Sequence, residues 1–155
     1  MKTLLALLLC LASAAALALE NGERLAPWTL LDQFDQPYTL DDQVRILLVA
    51  RDMDAAKLVS AALSEKPKGY LEARHGVFLA DVSRMPKIIA SLFALPAMRD
   101  YPYRVLLDRD ARIAPRYPAE ASTVLWLELR EGHVSAQKSF TSAAALGEAL
   151  GAAGS

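Results

Sequence analysis

The chain has 155 residues, a net charge of −1 and a hydrophobic fraction of 54%. That length suits one domain able to bury its own core, and the near-balanced charge argues against nucleic acid, whose binding demands a basic face. The N-terminal segment inflates the mean hydropathy of +0.20, and beyond it no apolar run is long enough to span a bilayer.

Met1 to Ala18 reads as a cleaved secretory signal peptide. Lys2 supplies the positive start, Leu4 to Leu11 the apolar stretch, and Ala16-Leu17-Ala18 a small-x-small cleavage site. The expected organisation is a signal over 1–18 and one domain over 19–155. A lipoprotein reading would acylate Cys10, but Leu9 stands where that motif wants a small residue. Cys10 is the only cysteine, so cleavage would leave no disulfide, thiolate nucleophile or cysteine metal ligand.

Trp28 to Leu31 and Tyr38 to Leu40 are β-prone runs around the turn-rich Asp32-Gln33-Phe34-Asp35-Gln36-Pro37. This spacing predicts a β-hairpin with Trp28 half exposed. Asp41 and Asp42 are expected to hold a turn by accepting from backbone N–H groups rather than to bind metal. Ile46 to Ala50 is a buried strand that breaks at Arg51 and Asp52 into a helix over about Asp54 to Glu65, stopped by Pro67 and Gly69.

Val77 to Val82 predicts a second buried strand, and Pro86 to Leu95 a helix with proline in its first turn. Arg104 to Asp108 and Ile113-Ala114 bracket the turn Arg109-Asp110-Ala111 as an inserted hairpin. Val124 to Leu129 is a third core strand carrying Trp126, and Glu131-Gly132 turns it into His133 to Phe140. Ser142 to Ala153 closes the chain as a helix capped by Thr141 or Ser142. Alternating β and α elements followed by an antiparallel pair give an α/β domain, a mixed β-sheet flanked by helices. No internal repeat divides it.

Three stretches carry a resemblance. GERLAPWTLLDQFDQPYTLDD resembles the opening of the peroxiredoxin and TlpA-type branch of the thioredoxin superfamily. YRVLLDRDARIAPRY is similar to that branch's inserted segment, and STVLWLELREGHV to its last hairpin. Together they look most like the YtfJ-like group of periplasmic thioredoxin-fold proteins, whose function is poorly defined. The resemblance implies a thioredoxin-like fold with an N-terminal β-hairpin and a β insertion before the last hairpin. It also implies a periplasmic location.

Redox members of that superfamily carry a cysteine or Cys-x-x-Cys at the start of the helix after the central strand, where the helix terminus lowers thiol pKa. The matching positions here hold Asp54 and Lys57, expected to pair across one helical turn. The superfamily's cis-proline falls near Ser122, followed by Thr123. With no proline there, a trans bond is expected.

The candidate site at this position is therefore Arg51, Asp52, Asp54, Lys57, Ser122 and Thr123, with Arg116 as a further neighbour. Two readings stay open: a solvated helix start, or a thiol-independent polar site able to bind an anion or perform acid–base work. Tyr101, Tyr103, Arg112, Arg116 and Tyr117 form a candidate partner surface, since interleaved aromatic and Arg side chains dominate binding hot spots. His75 and His133 lie too far apart in sequence to suggest a metal site. No catalytic triad, phosphate loop or dinucleotide fingerprint is present. The sequence implies no cofactor and no metal, and it favours a redox-inactive binding or accessory module contacting an envelope protein or peptide over an enzyme.

Overall fold

The computed structural model describes residues 19–154. The expected signal peptide and Cys10 lie outside the described residues. Seven strands form one mixed sheet: β1 (Thr29–Asp32), β2 (Pro37–Thr39), β3 (Ile46–Ala50), β4 (Gly76–Asp81), β5 (Val105–Asp108), β6 (Val124–Arg130) and β7 (His133–Phe140). Their order is β2-β1-β5-β4-β3-β6-β7. β3, β4 and β5 run parallel to one another, and the outer pairings are antiparallel. The helices are α1 (Met53–Leu63), α2 (Tyr70–Ala73), α3 (Lys87–Ile89), α4 (Leu95–Met98) and α5 (Ala143–Ala153).

The strands that read as continuous apolar runs are those buried on both faces. Every residue of β3 is buried, as are the first five of β4 and all of β5. Alternate side chains feed two cores. One holds Leu48, Phe78, Val105 and Trp126 under α1, α2 and α5. The other holds Leu47, Leu79, Leu106 and Leu127 and is covered by the N-terminal segment and by Ile113, Ala114 and Tyr117. Trp28 belongs to this second core at 5% exposure, not half exposed as its hairpin position suggested. Its indole Nε1 donates to the Tyr117 hydroxyl at 2.7 Å, which pins the hairpin to the loop before β6.

Side chains rather than strand ladders hold the loops. Buried Asp108 accepts from the amides of Arg112 (3.1 Å), Ile113 (2.8 Å) and Ala114 (2.7 Å). This bends 109–114 over the sheet, so Ile113-Ala114 does not pair as a hairpin strand. A 3-10 turn, Ala114–Arg116, follows instead. The insertion thus contributes the single strand β5, between β1 and β4. Gln33, 1% exposed, donates to the carbonyls of Tyr103 (2.8 Å) and Met98 (3.2 Å) and accepts from Val105 N at 2.9 Å. At the β6–β7 turn, Glu131 and Gly132 both adopt positive φ, 51° and 81°, the conformation that a two-residue hairpin turn demands.

The segment 87–98 departs from the expected simple helix. Between α3 and α4, Ala90–Ala94 forms a π turn, and helix continues through Pro96 to Met98. Proline lacks the amide that would bond back to Leu92, and its ring crowds that carbonyl. The ladder loosens, and Leu95 N donates five residues back to Ala90 O. No residue of this segment is buried, although most of it is apolar.

Two outcomes follow. Asp108→Ala leaves three amides without an acceptor, two of them buried, and should cost about 2–4 kcal/mol in urea unfolding. Burial pushes the Tyr117 phenol up, opposed in part by the Trp28 hydrogen bond, and the Tyr103 phenol is likewise raised by burial. Raised phenol pKa values give stability that is whole below the ordinary tyrosine value of about 10 and lost as pH climbs through the folded-state values. Tyr117→Phe should cost about 1 kcal/mol near neutral pH and flatten that alkaline loss.

Candidate functional site

The site begins where β3 ends. Ala50 is the last strand residue, and two positions later Asp52 adopts extended backbone (φ −145°) as the N-cap of α1. Asp52 Oδ1 accepts from Ala55 N at 2.8 Å, satisfying one of the orphan amides of the first turn. Its Oδ2 accepts from Ser122 N at 2.7 Å. One carboxylate thus caps the helix and ties down the loop that enters β6. Ser122 sits at φ 55°, a left-handed conformation uncommon for serine, and its hydroxyl lies 3.3 Å from Asp54 Oδ2. No cis peptide bond occurs among the described residues.

The expected residues separate into two groups. Asp52, Asp54 and Ser122 form the hydrogen-bonded latch. Thr123 is buried beside it, and its hydroxyl donates to Ala121 O at 3.1 Å. Asp54 and Lys57 form no ion pair, so the expected pairing across one turn is absent. Ser122 and its loop take the Asp54 carboxylate, while the exposed Lys57 side chain lies along a cleft beside α1. Arg51 and Asp52 line the same cleft, and Arg116 does not.

That cleft has a volume of about 570 Å³ and lies between α1, the segment 84–101 and the β4–β5 part of the sheet. Its walls are chiefly apolar, with Met53, Phe78, Met85, Ile89, Met98 and Val105 among them. Two buried polar atoms at its lining, Arg51 Nε and the Tyr103 hydroxyl, have no hydrogen-bond partner. The Ser60 hydroxyl is close enough to Tyr103 to oppose part of its burial effect, yet it does not complete a hydrogen bond. Among the described residues, no group of three or more His, Asp or Glu side chains is placed to hold a metal ion.

The expected partner surface does not assemble. Tyr103 and Tyr117 are 4% and 3% exposed and belong to cores on opposite faces of the sheet. Tyr101 stacks on Tyr103 at 5.1 Å between ring centroids, and Arg112 and Arg116 stay exposed on the other side. Spacing along the chain placed these residues together, but the intervening strand β5 sends them apart. Conversely, sequence reasoning missed Ser60, Arg84, Met85 and Ile89. For Ile89 the available signal was PKIIASLFALPAM, a helical stretch with almost no polar face, and no local signal marked Ser60, Arg84 or Met85.

Asp52→Ala removes both arms of the latch and should destabilise the domain by about 1–3 kcal/mol. Asp54→Ala, at an exposed position with one long hydrogen bond, should change stability by less than about 0.5 kcal/mol. Urea unfolding of the two variants checks this ordering, and equal losses would contradict the division of roles.

No protein-family model and no curated protein matches the chain. Solved structures do resemble it. Peroxidoxin BcpB from Mycobacterium tuberculosis superposes with a TM-score of 0.58 at 14% identity, over 87% of this chain and 96% of that one. A protein described as thiol:disulfide interchange protein DsbE, from Chlorobium tepidum, gives 0.58 at 17% identity, over 89% and 100%. A thio-disulfide isomerase from Thermus thermophilus gives 0.50 at 24% identity, over 88% and 99%. Likeness at these identities speaks to architecture rather than activity: the chain has a thioredoxin-like fold.

Proposed function

We propose that this protein is a redox-inactive binding or accessory module of the cell envelope, built on a thioredoxin-like scaffold. The observation that carries the reading is the Asp52 latch. The positions where the resemblance leads one to expect thiols hold Asp54 and Lys57, and the N-cap carboxylate just before them, Asp52, is bonded to Ala55 N and to Ser122 N at the expected cis-proline position. No cysteine occurs over the described residues, so neither a thiolate nor a disulfide can form there. The export expected from Met1 to Ala18 supports a periplasmic setting and removes Cys10.

Two features support a binding role. Ile88, Leu92 and Phe93, 64–69% exposed, make an apolar surface on 87–98 larger than isolated side chains would give. The cleft beside α1 is concave, apolar and of ligand size. A thiol-independent enzyme at Arg51 to Lys57 is the second reading. It is favoured by the cations Arg51 and Lys57, which line the cleft and enter no ion pair among the described residues.

The test is made on exported protein. Its N-terminus should begin near Leu19, thiol titration should find no sulfhydryl, and the protein should not accelerate reduction of insulin disulfides. A processed chain that retains Cys10 and turns over a disulfide would overthrow the proposal.

A further inference from the structure

From the cleft between α1 and 84–101 we infer a binding site for a small apolar monocarboxylate, an acyl chain ending in one anionic group. This rests on the non-redox binding reading and names a ligand class for that cleft.

The apolar half of the inference comes from the walls. The π turn and Pro96 hold the segment 87–98 over the sheet without burying any of its residues. Apolar volume stays open beneath it, lined by Met53, Phe78, Met85, Ile89, Met98 and Val105. Three of these are methionines, whose unbranched side chains repack around a flexible chain. The volume of about 570 Å³ falls within the usual range for small-ligand sites.

The anionic half comes from charge complementarity. Arg51, Lys57 and Arg84 line the cleft, and none enters an ion pair among the described residues. The same lining carries two carboxylates, each held by hydrogen bonds from neutral donors. Asp52 accepts from Ala55 N and Ser122 N, while Asp81 Oδ1 accepts from the amide and hydroxyl of Ser83. Three cations against two carboxylates leave the cleft lining with a net positive charge.

An independent observation points to a ligand. Tyr103 is 96% buried by its 4% exposure, lines the cleft, and its hydroxyl has no partner. Arg51 Nε is orphaned in the same lining. A buried polar group left unsatisfied is costly, and both of these are donors toward an anion. A carboxylate head reaching them, with its chain along the methionines, answers both features at once.

The experiment is isothermal titration of the exported protein with sodium dodecanoate below its micelle concentration, with dodecylammonium and acetate as controls. Dodecanoate should bind once per chain, with acetate and dodecylammonium binding at least about tenfold more weakly. Arg51→Gln with Arg84→Gln should weaken dodecanoate by about tenfold or more, and Ile89→Glu, at a half-exposed wall position, should abolish binding. Tyr103→Phe carries an opposite-sign signature: it should melt higher without ligand, because an unsatisfied hydroxyl is gone, yet bind dodecanoate more weakly.

Equal binding of dodecylammonium, or dodecanoate binding indifferent to Ile89→Glu and to the arginine pair, would overturn the inference. So would tighter binding of a short apolar peptide with a free C-terminal carboxylate, which would assign the cleft to peptides. Insulin reduction on the same preparation reads the parent proposal separately. Turnover there overturns the non-redox reading, whereas absent dodecanoate binding without turnover overturns only the acyl assignment.

Discussion

A single carboxylate joins the start of the helix after the central strand to the loop before β6. Asp52 stands at the point where the central strand becomes a helix, and it accepts from the helix's third amide and from the loop leading into β6. Amides at a helix start have no intrahelical partner, so an acceptor there is needed whatever the chain does with the position. A thiolate at a helix start would be stabilised by the same dipole and could react. An aspartate is stabilised there too, and here each of its carboxylate oxygens accepts one backbone amide. The helix terminus is thereby fastened to the loop that enters β6.

The same device recurs away from the site. Asp108 gathers three consecutive amides, and Gln33 stands in for a strand neighbour beside Tyr103 and Val105. These buried polar side chains let irregular segments cover the sheet without leaving amides unpaired. They also explain the asymmetry of the two cores. One face carries α1, α2 and α5, while the other is closed by the N-terminal segment and by 113–117 through Trp28 and Tyr117. Three buried polar atoms go without a hydrogen-bond partner, Arg51 Nε and the Tyr103 hydroxyl beside the cleft and Trp126 Nε1 away from it. Arg51 and Tyr103 line the cleft beside the segment 87–98, which packs Leu95 and Met98 against the core but leaves most of its apolar side chains exposed.

Much of the architecture was legible along the chain because it depends on local pattern. The apolar run Ile46–Ala50 and the antiparallel partner His133–Phe140 were placed at their observed bounds, and the hairpin around 33–36 formed as its turn residues require. Ser142 caps α5 through its side chain, accepting from Ala145 N. Trp126 is core at 2% exposure. Errors arose wherever a distant partner overrode local preference. Trp28 is buried because Tyr117, 89 residues away, offers it an acceptor. Ile113-Ala114 follows the Asp108 carboxylate rather than a strand. Asp54 turns to Ser122, not to Lys57.

The sequence alone determined the central strands, the first and last long helices and the absence of thiols after position 10, since periodicity, turn residues and composition are properties of neighbours in the chain. Only the tertiary structure decided which charges meet. It brought Ser122 to Asp52 across 70 positions, sent Tyr103 and Tyr117 to opposite faces, and left a cleft under 87–98. Those outcomes depend on which strand lies beside which and on which buried donor finds an acceptor, and neither is written in local spacing.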